Sequence, residues 1–486
     1  MNIWIVFGVV FGYFGLLMLI SWITSRNSNN ETFFTGNRKS PWYLVAFGMI
    51  GASLSGVTFI SVPGEVGNTA WSYFQFVLGN FVGYFVVAQV LIPLYYRLRL
   101  VSIYSYLNQR FGIGTYKIGS FFFLVSQTIG ASFRLFLVAG VLQLAFFNAF
   151  GIPFWVTVFI TILLIWAYTF RGGIKTIVWT DTLQTLFMLG AVIITIIVIV
   201  KDLDLSTQGI VQVIGDSEFS SVFNWDWRSP QNFFKQFFAG IAVVIVMNGL
   251  DQNMMQKNLT CKNTKEAQKN IYWFSLSFVL ANLMFLCLGV LLYVFAEQHG
   301  ITLPQKTDDL YAFLALNHFG LVTGVVFLLG ITAAAYSSAD SALTALTTSF
   351  CVDFLKGEVT QKKRLGIHLM FSAIMFVVIV VFSMINDQSV VTAVFKVAGY
   401  TYGPLLGLFA FGLGSSRIVR DKWVPLICVL SPIITYIIST YSEQLLWGYR
   451  FGFELLIVNG LITFLGLVLI SERKRMVMSN TKSTSR

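Results

Sequence analysis

A chain of 486 residues with 56% apolar and only 11% charged side chains, and a mean hydropathy of +0.75, is excluded from the soluble globular class; soluble domains carry roughly 25% charged residues. The formal net charge of +11 would suit nucleic acid in a soluble protein, but here the basic residues sit between apolar runs, so no nucleic-acid partner is expected. Those runs are about 20 residues long, enough to cross a hydrocarbon core of roughly 30 Å, and they lack the alternating ten-residue pattern of a membrane barrel. The fold class expected is therefore all-α and integral to a membrane.

Thirteen spans are predicted, near residues 4–24, 42–68, 71–96, 117–148, 152–170, 174–200, 233–256, 270–296, 318–354, 366–385, 390–413, 423–440 and 451–470. The first has no basic segment before its apolar run and is long enough to span, so it is read as a span and not as a cleaved leader. Span 2 reads Gly48-Met49-Ile50-Gly51-Ala52-Ser53-Leu54-Ser55-Gly56-Val57-Thr58, with Pro63-Gly64 beyond; glycine and hydroxyl residues at that density weaken a helix. Span 7 reads Met247-Asn248-Gly249-Leu250-Asp251-Gln252-Asn253, again a break. Interrupted helices five spans apart point to an inverted-repeat transporter with its site near the midplane; a kinked packing helix is the alternative for either break alone. Two polar loops, Asp202 to Gln231 and Glu297 to Gly320, are placed outside, and the second is expected to carry a short helix. Residues 1–472 read as a single transporter domain, with the repeat over about 42–200 and 233–413, and 473–486 as a short basic tail.

Twenty-five of the 32 Lys and Arg residues fall in alternate loops and the tail. Lys257, Lys262, Lys265 and Lys269 after span 7 and Lys362, Lys363 and Arg364 before span 10 are counted there. This positive-inside bias places the N-terminus outside and the tail in the cytoplasm of a cell (inner) membrane. The four cysteines show no pairing or metal spacing, and the three histidines are scattered.

Ionisable groups inside spans are costly and so mark function. Here they are Arg134, Asp181, Asp251, Asp340 and Lys396. Two positive and three negative charges leave an excess that suits a bound monovalent cation; a structural ion-pair network is the alternative. In span 9, Ser337, Asp340, Ser341 and Thr344 share one helix face, and oxygen ligands suit a hard cation such as sodium.

Four segments together resemble the sodium/solute symporters, the family of sodium-coupled sugar, proline and sialic acid transporters. They are Arg171-Gly172-Gly173-Ile174-Lys175-Thr176-Ile177-Val178-Trp179-Thr180-Asp181-Thr182-Leu183-Gln184, the Ser337-Ser338 run, the broken span 2, and Asp251-Gln252 with Gln256-Lys257. The resemblance implies a leucine-transporter-like fold, a five-plus-five inverted repeat with an extra span before and two after. It also implies a sodium site from the carbonyls of Gly51, Leu54 and Ala334 and the hydroxyls of Ser337 and Ser338. Some members carry a second sodium, for which the matching set is Asp181, Ser337, Asp340 and Ser341. Asp340 stands where those members have serine.

For the solute the spans offer Ser53, Ser55, Thr58, Tyr73, Gln75, Gln127, Arg134, Asp251, Gln252, Asn253, Lys396 and Tyr400. An arginine fork binds two carboxylate oxygens, and related sialic acid transporters are similar in having an arginine in this span. The function expected is sodium-coupled symport of a carboxylated sugar such as sialic acid, or another organic acid. A neutral sugar or an amino acid of the proline type is the alternative. No Walker A pattern, repeated pore element or catalytic constellation supports an ATPase, a channel or an enzyme. Sodium, the solute and the bilayer are the partners expected, with no cofactor, and the monomer as the working unit.

Overall fold

Lipid offers the backbone no hydrogen-bond partners, so apolar runs that cross it fold as helices. The computed structural model describes residues 3–25, 30–169, 173–355, 359–385 and 390–472. Its principal helices are α1 (Ile3–Thr24), α2 (Trp42–Thr69), α3 (Tyr73–Val86), α4 (Ile113–Ala145), α5 (Phe154–Thr169), α6 (Gly173–Asp202), α7 (Phe233–Val244), α8 (Gln252–Asn258), α9 (Thr264–Gln298), α10 (Gly320–Ser349), α11 (Gln361–Ile385), α12 (Val390–Thr401), α13 (Gly403–Gly414), α14 (Val424–Thr440) and α15 (Leu455–Leu469). The basic tail and the first two residues of the Arg171-Gly172-Gly173 signature lie outside the described residues.

Among the described residues seven stretches are long and apolar enough to cross a membrane, two further helix pairs are bent by 68° and 45°, and three apolar helices are shorter. One of the seven, Trp42–Arg97, runs over two of the expected spans. The two polar loops carry helices at Thr207–Asp216 and Leu310–Asn317; only the second was expected.

Both expected breaks are present as geometry. Inside α2, Ser55 adopts φ 36° and ψ 174°, a left-handed value that costs a non-glycine residue about 1–3 kcal/mol and persists only where the surroundings enforce it. After α7 a π-helical turn, Ile245–Gly249, gives way to extended backbone at Asp251, and α8 leaves at 68°. The backbone freed there is satisfied by side chains: the Tyr95 hydroxyl donates to the Gly249 carbonyl at 2.9 Å and the Tyr104 hydroxyl to the Leu250 carbonyl at 2.9 Å. Asp251 accepts from the N–H groups of Asn253 (2.8 Å) and Met254 (3.3 Å), capping α8. A further 45° bend, between α12 and α13, was not expected.

At the centre α10 packs on α6, α2 and α4, with α1 and α5 behind it, while α2 also packs on α9 and α6. The α2–α6 approach is close because Gly51 has no side chain: its N–H donates to Thr185 Oγ1 at 3.0 Å, and a Cβ at Gly51 would collide with that oxygen.

Two residues counted as loop cations are corrected here. The 68° bend folds α8 back into the protein, so Lys257 is buried, 1% exposed. Arg364 is buried with its guanidinium over the Phe33 ring at 4.2 Å. His368 is buried too, bracketed by the hydroxyls of Thr169 at 3.1 Å and Thr347 at 2.9 Å.

Candidate ion and solute site

The ion ligands expected from the sequence converge on the junction of α2, α6 and α10. Ser338 Oγ donates to the carbonyl of Ala52 at 3.4 Å, which sets the serine pair against the turn between Gly51 and Leu54. Gly51, Leu54, Ala334, Ser337 and Ser338 are all buried. Hydroxyls and carbonyls at a broken helix form a hard, neutral donor set that fits sodium.

Beside it lies a charged cluster. Ser337 Oγ donates to Asp181 Oδ1 at 2.6 Å, and Lys257 Nζ pairs with Asp181 Oδ2 at 2.6 Å, both partners being 1% exposed. The sequence reading quoted Lys257 in the span 7 run but counted it as a loop cation, because its place at the end of an apolar run resembles a loop. Asp340 Oδ2 accepts from the Tyr168 hydroxyl at 2.8 Å and Oδ1 from Ser341 at 3.2 Å. Asp340 has no ion pair among the described residues, so of the ion-pair network that was the alternative only the Asp181–Lys257 pair is present around it.

The solute-facing residues divide into two cavities. An inner one of about 90 Å³ lies at the α2 break and is lined by Ser53, Ser55, Thr58, Tyr73 and Arg134. Arg134 is the only cationic or carboxylate side chain in its described lining. Two asparagines that the sequence reading did not assign, Asn80 and Asn248, also line it, and their buried Oδ1 acceptors have no hydrogen-bond partner. Asn248 sits in the segment already read as broken; Asn80 gave no signal.

An outer cavity of about 380 Å³ holds Lys396 and Tyr400, and meets the inner one at Tyr73. Between the two stands an aromatic partition of Phe76, Phe395 and Phe453, with centroid separations of 5.2, 5.3 and 4.6 Å.

Other expected solute residues are engaged elsewhere, which corrects their placement. Gln75 donates to the carbonyls of Ser72 (3.1 Å) and Gln231 (2.9 Å), holding the polar loop that ends at Gln231. Gln252 donates to Val101 O at 2.7 Å and accepts from Ile103 N at 3.0 Å, holding the segment after Arg97. Asp251 caps α8 and also accepts from the Tyr402 hydroxyl at 2.5 Å, which lies 3.4 Å from Gln127 Oε1. Asn253 is buried within α8 and does not line the inner cavity.

The sodium/sialic acid symporter of Aliivibrio fischeri is 25% identical over 83% of this chain and 82% of its own. The sodium/sialic acid symporter of Proteus mirabilis is 22% identical over 90% of each. The solved structure of a sodium-coupled sialic acid symporter, in a substrate-bound outward-open state, superposes with a TM-score of 0.81 at 19% identity, covering 97% of this chain and 99% of that one. The fold is thus the leucine-transporter-like, all-helical fold expected, and the protein is a multi-pass membrane transporter, not an enzyme. The family model for sodium:solute symporters matches residues 33–421, and the chain belongs to that family.

Proposed function

We propose that this protein imports a carboxylated polyhydroxyl solute of the sialic acid type, driven by sodium, by alternating access. The observation that carries the solute class is the inner cavity: one guanidinium, no carboxylate, and two buried asparagine acceptors without partners. Arginine binds a planar carboxylate bidentately. Unpartnered buried acceptors call for donors, which sugar hydroxyls and an amide N–H supply. The relatives' own names point the same way.

Sodium binds where Ser337 and Ser338 meet the α2 turn and organises that turn against α10. The solute completes the closed state, and both leave inward. The membrane potential contributes about 2.3 kcal/mol per 100 mV for each charge moved. In this reading the N-terminus is outside, the repeat spans about 42–200 and 233–413, and one chain suffices for transport.

Counterflow of labelled sialic acid in proteoliposomes, with and without sodium, tests the proposal. Sodium-independent exchange, or none with any carboxylated sugar, sinks it. Ser338→Ala removes one oxygen from the ion set and should raise the sodium concentration for half-maximal uptake about ten-fold, the loss of roughly one hydrogen-bond-sized interaction to a cation; an unchanged sodium dependence removes that assignment. Arg134→Lys keeps the charge and loses the fork. It should weaken sialic acid at least ten-fold while a neutral analogue loses much less; equal losses make Arg134 structural.

A further inference from the structure

The two bent helix pairs are joined to each other by a side-chain bond. Each bend frees backbone carbonyls, and side chains satisfy them. At the 68° bend the hydroxyls of Tyr95 and Tyr104 take the carbonyls of Gly249 and Leu250. At the 45° bend Pro404, second in α13, has no N–H to continue the ladder. There Asn459 Nδ2 of α15 donates to the carbonyls of Gly399 at 2.9 Å and Tyr400 at 2.8 Å. Gly403 permits this approach, since a Cβ on it would lie 2.2 Å from the Asn459 side chain. Tyr402 is the residue before α13 and Asp251 the residue before α8. The Tyr402 hydroxyl donates to Asp251 Oδ2, so one hinge residue holds the other, both of them buried.

The bond lies between the solute site, the ion cluster and the partition. α8 is held at its start by Tyr402 and near its far end by the Lys257–Asp181 pair. Phe395 of the partition precedes Tyr402 on the same helix by about two turns. Across from them, Gln127 and Arg134 are about two turns apart on α4. The Tyr402 hydroxyl lies 3.4 Å from Gln127 Oε1, and Arg134 is within electrostatic reach of both Tyr402 and Asp251. Gln127 Nε2 is buried with no hydrogen-bond partner. A network that served only to hold helices together would satisfy its buried donors; here one stays open.

We propose that the Tyr402–Asp251 bond is the latch that keeps the inner side of the solute path shut while the aromatic partition opens, which makes Tyr402 a positioning residue for coupling. The proposal rests on the alternating-access reading above. While the bond holds, the start of α8 stays on the α12–α13 bend, and movement of α12 about that bend swings Phe395 alone. A solute carboxylate on Arg134 cancels the positive charge that steadies the Asp251 carboxylate, so the latch loosens once an acidic solute is in place. The open Gln127 donor and the released Tyr402 hydroxyl then face the departing carboxylate.

Tyr402→Phe removes the hydroxyl and keeps the ring. In proteoliposomes it is read by sodium-driven accumulation of labelled sialic acid, by counterflow at equal sodium on both sides, and by sodium entry without solute. Accumulation at steady state should fall about ten-fold and sodium entry without solute should rise about ten-fold, the fold-change for one lost charge-assisted hydrogen bond, while counterflow stays within about two-fold of the parent. Asp251→Asn keeps an oxygen for the α8 cap and for Tyr402 but carries no charge. It should move accumulation and sodium entry in the same directions by a smaller factor, and it carries the test if Tyr402→Phe folds poorly. Parental accumulation and parental sodium entry in both variants overturn the latch. So does a lowered melting temperature with accumulation and counterflow reduced in constant ratio, the mark of a bond that is only structural. Absence of counterflow in the unmodified protein overturns the transport reading instead, so the two failures are told apart.

Discussion

Lys257→Met should destabilise the folded protein by about 3–5 kcal/mol and abolish transport, because it strands the carboxylate of Asp181 inside the protein. The pair is 1% exposed on both sides at 2.6 Å. Asp181 keeps only the Ser337 hydroxyl on its other oxygen, and one neutral hydrogen bond does not offset a buried charge. Melting temperature in detergent reads the loss. The double variant Asp181→Asn/Lys257→Met removes both charges and should recover most of the stability, since an ion pair replaced as a whole is often close to neutral.

Sodium adds a second reading from the same variant. With the ammonium gone, Asp181, Ser337 and Asp340 are left as oxygen ligands without a cation. Sodium should therefore raise the melting temperature of Lys257→Met more than that of the parent, because a ligand stabilises the state it binds. A Lys257→Met protein that melts with the parent, with or without sodium, means that Asp181 is not held as a charged partner. Lys257 lies on α8, beyond the break, and Asp181 on α6, so the pair ties the short half-helix to the centre of the protein. Loss of that tie explains why transport should fail even where the double variant folds.

The sequence made the breaks legible because glycine, serine, threonine and asparagine have a physical cost in lipid wherever they occur. Ser55 and Gly249 fall inside the segments that were read as broken. Asp181, Asp340 and Arg134 were equally legible, since an intramembrane charge stands out against 56% apolar composition. Lys257 was not. It follows the apolar part of span 7 as a loop cation does, and only the 68° bend brings it inside. Gln75 and Gln252 have the right chemistry for a sugar, but a side chain's direction depends on tertiary neighbours, and both point at loop backbone. The aromatic partition left no trace, because Phe76, Phe395 and Phe453 come from three distant segments of a chain with 48 phenylalanines.

Asp340→Asn should lower the net charge moved per anionic solute from about one, two sodium ions less the carboxylate, towards zero, and Asp340→Ser should do the same. With both carboxylates ionised, Asp181, Asp340 and Lys257 together would carry one excess negative charge. Inside a membrane such a charge costs a few kcal/mol or more unless a cation joins it. Lys257 already serves Asp181, so the uncompensated share falls on Asp340, whose partners are the neutral hydroxyls of Tyr168 and Ser341. A sodium ion held by Asp340, Ser341 and the Ser337–Asp181 edge would cancel the excess with hard oxygen ligands. Asparagine and serine at 340 each keep an oxygen ligand, but neither carries the negative charge that balances the ion. The energetic difference is large, because each additional charge adds about 2.3 kcal/mol per 100 mV to the driving force, close to a fifty-fold change in the accumulation ratio. Reversal potentials in proteoliposomes, with solute and sodium gradients set independently, give the charge per solute directly. A value of zero in the unmodified protein means that the second ion does not couple, and Asp340 then serves only to hold Tyr168 of α5 against α10.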